Sequence, residues 1–63
     1  MARITRRTVE ASKFVTTRDG LHGRVQEVYR DPEGGRRSWI VAFVTSDTAR
    51  FEVAALSDVR EVR

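Results

Sequence analysis

Trp39-Ile40-Val41-Ala42-Phe43-Val44 is an unbroken run of six apolar residues in a 63-residue chain. A strand with one wet face alternates apolar and polar residues, and this one does not. Both of its faces must therefore be covered. A chain this short has little protein to spare for a second face. The surplus face is hidden by the chain's own N-terminus, by another copy of the chain or by a partner.

Working outward, the turn-forming residues cluster at Asp19-Gly20 with Gly23, and at Asp31-Pro32-Glu33-Gly34-Gly35. The segments between and beyond them are rich in Val, Phe, Thr and Tyr, which favour strands. Strands are expected over residues 13–17, 23–30, 37–45, 50–54 and 59–62. A hairpin loop over 31–36 joins the second and third, and a tight turn over 46–49 joins the third and fourth. One helical turn fits within residues 7–13, because Thr8 and Val9 disfavour anything longer. One turn of 3₁₀ helix fits Ala54-Ala55-Leu56-Ser57, with Leu56 dipping into the core.

The register of the third and fourth strands follows from their composition. If Thr45 faces Arg50, Val44 faces Phe51 and Ala42 faces Val53. Those four with Ile40 make a continuous apolar face, which is expected to be the core. Trp39, Val41, Phe43, Thr45, Arg50 and Glu52 then lie outside. Trp39 and Phe43 each offer ~150–250 Å² for burial. Val25 and Val28 are three residues apart and cannot share one face of a regular strand. A bulge at Gln26-Glu27 resolves this and bends the strand. Val25 is then expected to pack inward beside Ala42, and Val28 to lie outside beside Trp39.

The charge is unevenly placed. Arg3, Arg6 and Arg7 precede any acidic residue, and the rest of the chain is balanced, so the formal excess of +3 sits on the N-terminal segment. The expected organisation is a basic arm over residues 1–12 and one domain over 13–63. A neutral body with a cationic arm suggests an anionic partner. Eleven of the twelve basic residues are arginine, which suits phosphate forks and is also what a GC-rich genome writes in place of lysine. There is no cysteine, and the single histidine and dispersed acids do not form a metal site. No segment approaches the ~18 apolar residues that span a bilayer, and no apolar stretch follows the basic N-terminus as in a secretory leader. A cytoplasmic setting is expected.

The stretch Phe14-Val15-Thr16-Thr17-Arg18-Asp19-Gly20-Leu21-His22-Gly23-Arg24-Val25-Gln26-Glu27-Val28 resembles the start of SH3-like barrels, especially the KOW type. Phe51-x-Val53-x-x-Leu56-x-x-Val59 resembles the end of such a barrel. The resemblance covers residues 13–62 and implies a fold rather than an activity. Val53-Ala54-Ala55-Leu56 is also similar to the end of the type II dihydrofolate reductases, SH3-like barrels that assemble as tetramers. Their catalytic Val-Gln-Ile-Tyr is replaced here by Thr48-Ala49-Arg50-Phe51, so that activity is not implied.

Catalytic constellations are not legible. His22 stands in a turn beside Arg18 and Asp19, a position usually solvated. The serines lack a nucleophile motif, and Gly34-Gly35-Arg36-Arg37 is followed by no helix that would hold a phosphate. A monomer this small lacks the walls of a ligand pocket of ~300 Å³. Binding has more support. Arg30, Arg36, Arg37 and Trp39 with the arm residues Arg3, Arg6 and Arg7 interleave charge with aromatic surface, as a nucleic-acid backbone requires. Trp39, Val41 and Phe43 rimmed by Arg50 have the make-up of a protein interface, including one between two copies.

The expectation is thus an all-β, five-stranded SH3-like barrel with a short 3₁₀ turn before its last strand and a basic N-terminal arm. It is a non-enzyme without cofactor or metal. The expected function is that of a small nucleic-acid-binding accessory protein, of a kind that would suit a phage or mobile element. The alternative is a protein-interaction module using the outer face of strand 37–45, with an oligomeric reductase-like enzyme as a weaker one.

Overall fold

Residues 4–33 and 38–63 are described by a computed structural model of the chain. The element order is α1 (Arg6–Glu10), β1 (Phe14–Thr17), β2 (His22–Arg30), β3 (Trp39–Thr45), β4 (Phe51–Ala55), a 3₁₀ turn (Leu56–Asp58) and β5 (Val59–Val62). All five strands join one antiparallel sheet in the order β4-β3-β2-β1-β5. The fold is all-β, and its order is compatible with a small SH3-like barrel. Among the described residues no pairing closes β4 onto β5. Also among them, no helix is long and apolar enough to cross a membrane.

Each turn has a local chemical cause. Gly20 takes φ +86° between β1 and β2, and the buried Thr17 hydroxyl accepts from the Leu21 N–H at 3.2 Å. At the β3–β4 turn, the buried Thr45 hydroxyl accepts from the Arg50 N–H at 3.0 Å and bonds Thr48 Oγ1 at 2.8 Å. Both buried hydroxyls are thus satisfied by the turns they close. Thr5 caps α1, accepting from the Thr8 N–H at 3.3 Å.

Gln26 is the extra residue of a bulge: Val25 pairs with Phe43 and Glu27 with Ala42. Val25 and Val28 therefore both point to the face that carries Phe43 and Val41. The expectation that they would lie on opposite faces is corrected, because the inserted residue restores Val28 to the side of Val25.

The larger correction concerns β3. Its register with β4 is the one composition demanded, with Ala42 opposite Val53 and Val44 opposite Phe51. The face is reversed. Val41 and Phe43 are fully buried, with Val9, Val15 and Val59 around them and Leu56 packed against the cluster. Phe51 and Val53 stand in solvent. The sheet coils so that the side bearing Val41 and Phe43 is concave, and α1 delivers Val9 to it. Ala42 is also buried, a small side chain flanked on the outer face by Val53 and Glu27.

Gly23 shows why the coil runs this way. A Cβ there would collide with the Val44 carbonyl oxygen, come within 2.7 Å of the Val44 carbonyl carbon and reach 2.8 Å from Phe43 Cδ2. Only glycine lets β3 approach β2 closely enough for Phe43 to enter the interior. Gly23→Ala is expected to cost about 2–3 kcal/mol in denaturant unfolding, from overpacking against backbone. Gly20→Ala meets no atom within 4 Å and is expected to cost only about 1–2 kcal/mol, from its positive φ. Equal losses at the two glycines would refute the close-approach account.

Candidate interaction surface

The outer face is built from the period-2 alternation of the strands. Ile40, Ala42 and Val44 of β3 turn outward, opposite Ala55, Val53 and Phe51 of β4. On the other flank they meet Tyr29, Glu27 and Arg24 of β2. Phe14 of β1 continues the surface opposite Arg24. Phe51 is 66% exposed, Val53 51%, Tyr29 37% and Phe14 36%. These large apolar side chains share one side of one sheet, so they form a surface rather than isolated positions. Arg24 and Glu27 bring opposite charges to it, which leaves the face electrically mixed.

One corner is pre-arranged. Phe14 and His22 stack with ring centroids 5.8 Å apart and planes 11° from parallel. Thr16 Oγ1 and His22 Nδ1 share a hydrogen bond of 2.9 Å. His22 is thus oriented by an aromatic neighbour and a hydroxyl. Among the described residues no group of three or more His, Cys, Asp or Glu is placed to hold a metal.

The residues expected to bind from sequence are dispersed. Arg3, Arg36 and Arg37 lie outside the described residues. Arg6 places its guanidinium carbon 4.7 Å from the centroid of the half-buried Trp39 ring and pairs Glu10 at 3.5 Å. Trp39 therefore offers no free face on that side to a base. Arg7 is exposed on α1, Arg30 is exposed opposite Trp39, and Arg50 is exposed at the end of the β3–β4 turn. The expected protein interface over Trp39, Val41 and Phe43 is corrected: Val41 and Phe43 are sealed in the core.

An open cleft of about 390 Å³ lies at the sheet end between Ile4, Asp31, Ser38, Trp39 and Leu56. This is larger than the pocket expected of so short a chain. At its rim Asp31 Oδ1 accepts the Glu33 N–H at 3.0 Å.

Sequence reasoning missed the exposed set because β4 reads Phe51-Glu52-Val53, with its large apolar residues on one side of a strand. Alternation normally assigns that side to the core. The signal that would have corrected it is Gly23 together with the two valines across the bulge, which mark the side where β2 and β3 approach.

The chain has a single tryptophan, so its fluorescence reports this contact alone. Arg6→Ala is expected to shift Trp39 emission to the red and to lower stability by about 0.5–1 kcal/mol. An unchanged spectrum would show that Arg6 does not cover the ring. In comparisons with known proteins, no family model, no curated protein and no solved structure matches the chain.

Proposed function

We propose that the chain is a non-catalytic protein-interaction module, an SH3-like barrel that docks a partner on the outer face of β2, β3 and β4. The observation that carries this is the joint exposure of Phe51 and Val53 on one side of the sheet. A marginal domain of this size gains by burying such side chains, and leaving them in water forgoes about 25 cal/mol per Å². Tyr29 and Phe14 extend the patch, and Arg24 and Glu27 supply polar groups of both signs for specificity. The strand order and the 3₁₀ turn before β5 support the SH3-like reading.

Nucleic acid is the less supported ligand. Trp39 is covered by Arg6, and the outer aromatics are accompanied by Glu27 as well as Arg24. A phosphate backbone asks for one sign of charge along its track.

Selection of displayed peptides against the purified protein, followed by residue-level NMR titration, tests the proposal. Apolar peptides are expected to shift Phe14, Tyr29, Val44 and Phe51. Phe14→Ser and Tyr29→Ser are expected to weaken each peptide by about 1–2 kcal/mol while leaving the amide spectrum dispersed. Peptides that map to α1 or to the sheet-end cleft would overturn the reading. So would binding of an oligonucleotide alone, with a steep loss of affinity in salt.

A further inference from the structure

β4 is a terminal strand, with β3 on one side and no strand on the other among the described residues. Thr45 donates its N–H to the Arg50 carbonyl at 2.9 Å, which fixes the phase of bonding in the hairpin. In an antiparallel pair the bonded positions alternate. Glu52 and Ala54 therefore turn their backbone groups toward β3, and Phe51, Val53 and Ala55 turn theirs to the open edge. The residues with outward backbone groups are the same ones whose side chains form the outer face. An edge strand that is apolar and open is a template for another strand.

The opposite edge is different. β5 carries Arg60 and Glu61, both exposed, as its central residues. Charge of this kind protects an edge from pairing. Among the described strands, only β4 is left adhesive.

We infer that two copies of this chain associate through antiparallel pairing of β4 with β4, about a two-fold axis at Val53. The register follows from the side chains. With the axis at Val53, Phe51 faces the small Ala55 of the second copy, and Glu52 faces Ala54. Val53 exchanges both backbone bonds with its counterpart, and across the axis each Ala55 N–H donates to the Phe51 carbonyl and each Phe51 N–H to the Ala55 carbonyl. An axis at Glu52 would set two like charges opposite one another, which disfavours it. An axis at Phe51 would place Val53 opposite the turn residue Ala49 and leave Ala55 unpaired. The Val53 register uses the whole length of β4 and opposes no charges. It is isologous, so it closes at two copies. The two outer faces then run on as one surface, with Tyr29 and Phe14 of each copy still open. The dimer needs only the β4 edge and does not rest on the docking of a partner.

Sedimentation velocity from ~1 µM to ~1 mM tests this, with residue-level amide exchange at the two ends of the range. The mass is expected to rise from one chain to two. The Phe51, Val53 and Ala55 amides, and no others on β4, are expected to gain protection with concentration, since those of Glu52 and Ala54 already bond β3. Val53→Lys puts two like charges on the axis and is expected to raise the dissociation constant at least about tenfold. Synthetic protein with an N-methylated Val53 removes one outward donor, keeps the side chain and is expected to weaken the dimer likewise. A single-chain mass across the range would overturn the inference. So would a dimer in which the Phe51, Val53 and Ala55 amides exchange as fast as in the monomer. Phe14→Ser and Tyr29→Ser lie away from the edge and are expected to leave the dimer intact, so loss of peptide binding and loss of dimer are read separately.

Discussion

The approach of β3 to β2 at Gly23 is the contact on which the rest of the structure depends. Without a side chain there, the backbone at Val44 comes down onto β2 and the ring of Phe43 enters the interior. Phe43 is the largest fully buried side chain, and Val41, Val15, Val9 and Val59 gather around it. A chain of this length has one core and no disulfide to support it, so the packing of that ring is a large share of what holds the fold. The bulge at Gln26 serves the same end by returning Val28 to the side of Val25.

Closing the core on one side leaves the other side of the same sheet to the solvent. The segment best placed to cover apolar surface, α1, is committed to the concave side through Val9, with Arg6 laid over Trp39 at its edge. Among the described residues nothing comparable lies over Phe51, Val53 and Tyr29. The apolar excess visible in the sequence is therefore real, and it resides on the face opposite to the expected one. The exposed apolar side chains belong to β4 rather than to Val41 and Phe43 of β3.

Edge and face coincide at β4. In most sheets a protected edge strand carries charge, as β5 does here with Arg60 and Glu61. On β4 the one charged residue, Glu52, turns its hydrogen bonds inward to β3 together with Ala54, and Phe51, Val53 and Ala55 turn theirs outward. Adhesive side chains and unused backbone groups thus belong to the same residues. That coincidence connects a platform for a partner with a seam between two copies.

The elements, the turns, the bulge and the β3–β4 register were legible in the residues alone. They depend on local chemistry: glycine and aspartate at turns, β-branched and aromatic residues in strands, and a two-residue alternation that sets which side chains travel together. The sequence determined that Trp39, Val41 and Phe43 lie on one side of the ribbon and Ile40, Val44, Phe51 and Val53 on the other. It did not determine which side is inside, because both are apolar and alternation is blind to the direction in which a sheet coils. That was decided by residues distant in the chain, Val9, Val15 and Val59, meeting Phe43 across the concave side. The candidate site was hidden for the same reason, since exposure belongs to the coiled sheet and not to any single strand.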